Sequence, residues 1–229
     1  DVDLKVKLED GIDRLGRVVF QQKLGTMLEK TQRLVTLTGW LCKSLHVSNR
    51  DEIKQAARLC KTDLITEMVK EFTDLQGVMG GLYAKAEGQP EAVGAAIYEH
   101  YRPQTLEDSS PETPGGGILS IADKVDSIVG AFAIGQVPTG SKEPVALRRQ
   151  TLGIIKVLLD RQISLSIEKL FSKAFTLFKR KATRTAAETW TDVAAFMKDR
   201  LRFVFKEQGF RYDEINSVVE ICFDNPYDC

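Results

Sequence analysis

Asp63 is the first residue in the chain whose type and position could support chemistry. It lies in the segment AARLCKTDLITEMVKEFTDLQGVMG (residues 56–80), where apolar side chains recur every three or four residues and so share one face of a predicted helix. The apolar positions, which begin one turn before this segment, are Ile53, Ala56, Ala57, Cys60, Leu64, Met68 and Phe72. A carboxylate beside such a stripe either serves a metal or phosphate site or is capped or paired within a structural helix. The structural alternative is the more common one, and periodicity does not decide between them.

Two further carboxylates, Asp123 and Asp126, interrupt the apolar run ILSIADKVDSIVGAFAIG, which predicts a buried helix from residue 118 to about 134. Buried carboxylates are unfavourable unless they are paired, hydrogen-bonded or bound to a metal. The chain has only two histidines, His46 and His100, which argues against Ser-His or Cys-His catalysis and against a multi-histidine metal centre. Its four cysteines form no CxxC pair, so zinc is poorly supported and free thiols in a reducing cytoplasm are expected.

The elements that must position these residues are helical. The pattern predicts helices over 12–24, 26–45, 51–74, 90–101, 118–134, 144–160, 163–180, 185–208 and 213–222. A capping-box spacing, Thr185 to Glu188, marks one of the helix starts. A loop is predicted over 102–117, and its PGGG sequence lacks the Lys and Ser/Thr of a phosphate-binding loop. Only residues 2–6 suggest a strand, so the predicted fold class is all-α, with eight or nine helices in two lobes, 1–135 and 136–229.

The composition is that of a globular chain, with 229 residues of which 43% are apolar and 28% charged. No apolar run approaches the length of about 18–20 residues that spans a bilayer, so no membrane association is expected. The net charge is zero, yet residues 142–184 contain eleven Lys and Arg against three acidic residues. Such a basic half could face phosphate groups, and it could equally be a set of solvated helix faces.

Three long segments carry a resemblance to a known family. They are VVFQQKLGTMLEKTQRL, AARLCKTDLITEMVKEFTDLQGVMG and IADKVDSIVGAFAIGQVPTGSKEPVALRRQTLG. In this order they resemble the beta subunit of bacterial glycyl-tRNA synthetase, the type that assembles from two alpha and two beta chains. The resemblance covers nearly the whole chain and implies the central helical part of that subunit, which includes an HD-like domain at 1–135. It also implies amino-terminal domains before this segment, and an anticodon-binding domain after the helical lobe at 136–229.

The HD phosphohydrolases bind a divalent metal through a His, an adjacent His-Asp pair and a later Asp. In this sequence residues 56–59 match the lead-in to the pair, but Cys60 and Lys61 stand where the pair would be. The first His position falls near Arg33, and Asp123 matches the distal Asp. The resemblance therefore implies a degenerate HD site without metal or hydrolase activity, since a Lys would repel a divalent cation. Its positions are Arg33, Cys60, Lys61, Asp63 and Asp123, and Lys61 is expected to pair with Asp123 or Asp63.

The family also implies a role in joining glycine to tRNA. The alpha subunit would carry the catalytic site with ATP and Mg, so no cofactor is expected in this segment. The expected partners are tRNA(Gly) and the alpha subunit, and the expected location is the cytoplasm. The tRNA-facing candidates are Lys142, Arg148, Arg149, Lys179, Arg180, Lys181 and Arg184. Two alternatives stay open: a structural module that docks the alpha subunit, and an active HD phosphohydrolase.

Overall fold

The computed structural model describes residues 2–138 and 146–229. Most of this part of the chain is helical, which confirms the all-α prediction. A two-stranded antiparallel sheet pairs β1 (Val19–Gln21) with β2 (Gly25–Thr26). The α-helices in the described residues are α1 (Met27–Ser44), α2 (Arg50–Leu59), α3 (Glu67–Glu71), α4 (Val78–Ala86), α5 (Glu91–Glu99), α6 (Pro114–Ala133), α7 (Leu147–Asp160), α8 (Ile167–Thr176), α9 (Ala186–Glu207) and α10 (Tyr212–Cys222). None of these helices is long and apolar enough to cross a membrane.

The chain divides into two compact units. The first unit contains residues 1–102 and 111–123, and the second contains 103–110 and 124–229. Helix α6 therefore contributes its first half to one unit and its second half to the other. The sequence-based domains 1–135 and 136–229, and the HD-like character of the first, stay predictions.

In the first unit, helix α1 begins at a capping box. Thr26 accepts a hydrogen bond from the Glu29 amide, and the Glu29 carboxylate accepts one from the Thr26 amide. Helix α4 packs closely against α5, and Gly81 makes this approach possible. A Cβ at Gly81 would lie 2.8 Å from the carbonyl oxygen of Gly94, so no larger residue fits without moving the backbone.

The predicted helix over 51–74 is wrong in its middle. Helix α2 ends at Leu59, residues 62–65 form a 3-10 turn, and α3 begins only at Glu67. Side-chain hydroxyls stabilise this break, because Thr62 donates to the Leu59 carbonyl at 2.7 Å and Thr66 caps α3 by accepting from the Val69 amide. The break turns Lys61 and Asp63 into the interior, where both are buried.

The loop predicted over 102–117 ends earlier than expected, since α6 begins at Pro114 and includes the three glycines. The buried carboxylate of Glu99 accepts hydrogen bonds from the amide and the hydroxyl of Thr113, at 3.0 and 2.8 Å. The Thr113 hydroxyl in turn accepts from the Gly116 amide at 3.0 Å. These contacts satisfy the free amides at the helix start, so the PGGG sequence is a first helical turn.

The amino-terminal predictions are also wrong in detail. Residues 3–5 form a 3-10 turn where a strand was suggested. The helix predicted over 12–24 is a 3-10 turn over 13–17 followed by strand β1. The Gln21 side chain accepts from the amides of Lys23 and Leu24, at 2.6 and 2.9 Å, and this tightens the turn into β2.

In the second unit, α7 to α10 lie close to their predicted positions. Phe132 of α6 packs edge-on against Phe196 of α9, with ring centroids 5.3 Å apart. The expectation of four free thiols is wrong, because Cys222 at the end of α10 forms a disulfide with Cys229. The chain reversal after α10 brings these two sulfurs together, whereas Cys42 and Cys60 are free and buried.

Candidate functional site

Lys61 lies at the centre of a buried charged cluster in the first unit. Its side chain is only 2% exposed, and its Nζ donates to Asp123 Oδ2 at 2.7 Å. Lys61 enters from the turn that follows α2, and Asp123 enters from α6. The sequence-based expectation that Lys61 pairs with Asp123 or Asp63 is confirmed for Asp123.

A second cation, Lys30 of α1, completes the ion pair. Lys30 Nζ lies 2.9 Å from Asp123 Oδ1 and donates to the Asp123 carbonyl oxygen at 3.2 Å. The family resemblance placed the first position of the degenerate HD site near Arg33, and Lys30 was not expected there. Arg33 is also buried, one turn further along α1. Residues three apart share a helix face, so that spacing was the one available signal for Lys30.

His100 and Tyr101 surround the Lys61 ammonium on its remaining sides. His100 Nδ1 lies 2.6 Å from the Ile97 carbonyl oxygen, which can only accept, so Nδ1 carries the ring hydrogen. His100 Nε2 can then accept a hydrogen bond from Lys61 Nζ at 2.9 Å. The Tyr101 ring centroid lies 3.9 Å from the same Nζ, within cation–π distance. Neither residue was expected at this site, because both come from the end of α5, far from Lys61 in sequence.

The cluster stays charged because its members stabilise each other. Burial alone would raise the pKa of Asp123, but the ammonium groups of Lys30 and Lys61 hold that pKa well below its usual range. Burial alone would lower the pKa of Lys61, but the Asp123 carboxylate raises it above its usual range. Burial raises the pKa of the Cys60 thiol to about 12, so Cys60 is a protonated core residue and a poor nucleophile.

Asp63 has a different role from Asp123. Its Oδ2 accepts from the Gly77 and Gly80 amides at 2.6 and 3.2 Å, which caps the start of α4. Burial raises the pKa of this carboxyl. A Cβ at Gly80 would lie 3.0 Å from the same oxygen, so the cap requires a glycine there. Of the two interpretations of Asp63, the structure supports the capped structural helix.

The donor set of the cluster does not fit a divalent metal. Lys30 and Lys61 are protonated ammonium groups, which have no lone pair to offer and repel cations. Within the described ranges 2–138 and 146–229, no group of three or more His, Cys, Asp or Glu could hold a metal ion. What the cluster can do chemically is join α1, the turn after α2, α5 and α6 through one internal ammonium–carboxylate network.

The basic candidates of the second unit fall into separate groups. Arg149 in the first turn of α7 is exposed, and Arg148 beside it is partly buried. Lys179 and Arg180 after α8 are exposed, and Lys181 is partly buried. Arg184 forms an ion pair with Asp192 at 2.7 Å and donates to the Glu188 carbonyl oxygen. Lys142 lies outside the described residues.

The fold and the cluster together define an all-α protein with an internal ion-pair network and without a metal site in its described part. A family model described as the glycyl-tRNA synthetase beta subunit matches residues 1–220. A glycine–tRNA ligase beta subunit from Syntrophus aciditrophicus is 42% identical over 221 residues, which is 96% of this chain and 32% of that protein. The corresponding protein of Clostridioides difficile is 44% identical over 95% of this chain and 32% of its own length. The beta subunit of Desulfatibacillum aliphaticivorans is 41% identical over 99% of this chain and 33% of its own length.

The chain belongs to the family of glycyl-tRNA synthetase beta subunits. It spans about one third of the length of the curated relatives that it matches.

Proposed function

We propose that this chain is a segment of a glycine–tRNA ligase beta subunit that supports tRNA(Gly) binding and glycine ligation without carrying the aminoacylation centre. Membership of the family over nearly the whole chain is the observation that carries the proposal. The partners are tRNA(Gly) and an alpha subunit, which supplies the ATP and Mg site. The location is the cytoplasm.

The two units contribute differently to this function. The first unit is a scaffold, because its most unusual charged groups point inward and stabilise one another. The second unit presents Arg149, Lys179 and Arg180 to solvent, where they can contact RNA phosphates. Phosphate contacts of this kind position an RNA without reading its bases.

The test uses the full-length beta subunit assembled with its alpha subunit. Reversal of Lys179 and Arg180 to Glu should weaken tRNA(Gly) binding and make log Kd about two units less steep in log salt, one for each lost phosphate contact. The matched control reverses Lys23 and Lys43, which are exposed lysines of the first unit. Equal tRNA affinity and salt slope in both double variants and the parent would contradict the assignment of this surface.

A docking function for the alpha subunit is the second candidate, and one surface favours it. Leu82 and Tyr98 are 49% and 37% exposed and line an open groove of 460 Å³ between α4 and α5. Exposed apolar side chains beside small residues suit a protein partner. Leu82→Glu with Tyr98→Glu should then reduce co-purification of the alpha subunit, and unchanged assembly would remove this candidate.

A further inference from the structure

The chain reverses direction after α10 and closes a short covalent loop. Cys222 is the last residue of α10, and its disulfide to Cys229 encloses residues 223–228. We refer to residues 222–229 as the terminal loop. The other two cysteines, Cys42 and Cys60, are free and buried in the first unit.

The terminal loop caps the start of α8. The Asp224 carbonyl oxygen accepts from the Ile167 amide at 2.8 Å, and the Asp224 carboxylate accepts from the Glu168 amide at 2.7 Å. Asn225 Oδ1 accepts from the Leu165 amide at 3.2 Å. The first amides of a helix have no partner within the helix, so the bonds from Ile167 and Glu168 satisfy groups that would otherwise need water, and the bond from Leu165 fixes the residue before the N-cap. The position of the terminal loop therefore decides how well the start of α8 is capped.

An aromatic column continues from the terminal loop into α8. Phe223 lies 5.9 Å from Trp190 of α9, measured between ring centroids, and Trp190 lies 4.9 Å from Phe171 of α8. Phe171 stacks on Phe175, one turn further along, at 5.8 Å. These rings bury apolar area that would be exposed if the terminal loop moved away from α8.

We propose that Cys222 and Cys229 are a reversible redox clamp that fixes the terminal loop on α8. The disulfide restricts the undocked conformations of the loop, which favours the capped state. In a reducing compartment such a bond forms and breaks in response to the thiol pool and is not permanent. This proposal rests on the geometry of the loop and on the cytoplasmic location proposed above, and it is independent of tRNA binding.

The redox step is thiol–disulfide exchange with a low-molecular-weight disulfide such as oxidised glutathione. The thiolate of one cysteine attacks that disulfide, forms a mixed disulfide and releases one glutathione thiolate. The second cysteine thiolate then attacks the protein sulfur and releases the second glutathione. The two cysteines lose two electrons in total, the glutathione disulfide gains them, and the two protons pass to the released thiols.

The clamp can be tested on the full-length beta subunit assembled with its alpha subunit, equilibrated in glutathione buffers of graded ratio. Differential alkylation and mass spectrometry should show Cys222 and Cys229 linked in oxidising buffer and alkylated in reducing buffer. Hydrogen exchange of the segment that contains the Leu165, Ile167 and Glu168 amides should be more than about tenfold faster in the reduced protein.

Two controls make the test specific. Cys222→Ser with Cys229→Ser should exchange fast in every buffer, whereas Cys42→Ser with Cys60→Ser should respond like the parent protein. The amide of Glu188, held by the capping box of α9, should exchange at the same rate in both redox states. Failure of Cys222 and Cys229 to link at any glutathione ratio would overturn the proposal, and so would equal exchange of the 165–168 segment in linked and reduced protein.

Discussion

Charged side chains serve opposite purposes in the two units of the chain. In the first unit Lys30, Lys61 and Asp123 lie inside the core, where each charge is satisfied by another. In the second unit Lys179 and Arg180 face solvent at the end of α8. A buried network stabilises one arrangement of helices and is unsuitable for contact with a ligand, whereas an exposed cation contributes little to stability and can bind one. This difference is the basis of the proposal that the first unit is a scaffold and that the second unit binds RNA.

Removal of the central ammonium should give the largest effect on stability. Lys61→Met leaves Asp123 in the core with one cation in place of two, and breaking a buried pair typically destabilises by about 3–5 kcal/mol. Urea unfolding of the beta subunit would measure this loss. Lys85→Met on the exposed face of α4 is the control, expected within about 0.5 kcal/mol of the parent.

A double variant distinguishes the loss of the ion pair from the cost of leaving one charge buried without its partner. Lys61→Met with Asp123→Leu removes both members, so it should recover part of the stability that Lys61→Met loses. A Lys61→Met protein within about 1 kcal/mol of the parent would show that the cluster does not hold the first unit together.

The pH dependence of stability should report the same network. The pKa of Asp123 lies below its ordinary value of 3.8 in the folded protein, so the folded state binds this proton less readily than the unfolded state. Asp123 therefore stabilises the fold above its unfolded pKa, and this contribution is lost as the pH falls through its folded pKa. The unfolding free energies of the parent and of Asp123→Asn should therefore converge as the pH falls from about 4 to about 2. This range begins near the pKa of Asp in the unfolded state.

The titration of two neighbouring groups, Asp63 and Lys61, limits the pH range in which the parent and Asp123→Asn can be compared. Burial raises the pKa of Asp63, so protonation of Asp63 favours the folded state and opposes the Asp123 effect in both proteins equally. The pKa of Lys61 is raised, so its stabilisation is complete below the unfolded pKa and is lost only as the pH rises through the folded one. In the Asp123→Asn protein the cause of that rise is absent, so the comparison of the two proteins is confined to pH values below about 6. A difference that stays constant down to pH 2 would mean that the Asp123 charge is not its source.

Local signals predicted some elements well and others poorly. Helix α9 was predicted over 185–208 and is observed over Ala186–Glu207, because its capping box marks the start in the sequence itself. The break after Leu59 was missed because the apolar spacing continues through Cys60 and Leu64 while the backbone leaves the helix. Spacing reports which residues face inward, and the hydrogen bonds of Thr62 and Thr66 decide where the helix ends.

Local sequence patterns also predicted only part of the charged cluster. The pair of Lys61 and Asp123 could be expected, since a buried carboxylate needs a partner and the family resemblance placed the two residues together. His100 could not, because its position depends on how α5 packs, and Lys30 was indicated only by its spacing of three from Arg33 on α1. The disulfide of Cys222 and Cys229 was missed for a related reason, since it depends on the chain reversal after α10.

The Asp63 cap should have an intermediate effect confined to the first unit. Asp63→Ala leaves the Gly77 and Gly80 amides without their acceptor, and loss of a helix cap costs about 1–2 kcal/mol. Asp63→Asn keeps an acceptor oxygen and should retain most of the stability. Hydrogen exchange of the amides at the start of α4 would locate the change. An Asn variant as unstable as the Ala variant would show that the charge, and not the acceptor, is what the cap requires.

The smallest predicted effect is a difference between Lys179 and Arg184 in the salt dependence of tRNA(Gly) binding. Arg184 is held by Asp192 and by the Glu188 carbonyl oxygen, whereas Lys179 is exposed at the end of α8. If exposure decides which cations meet the RNA, Lys179→Ala should reduce the salt slope of tRNA(Gly) binding by about 1, and Arg184→Ala should reduce it much less. Fluorescence anisotropy of labelled tRNA between about 50 and 200 mM salt measures both slopes. An Arg184→Ala slope as shallow as that of Lys179→Ala would mean that the pair with Asp192 opens when tRNA binds, so that the surface rearranges around its ligand.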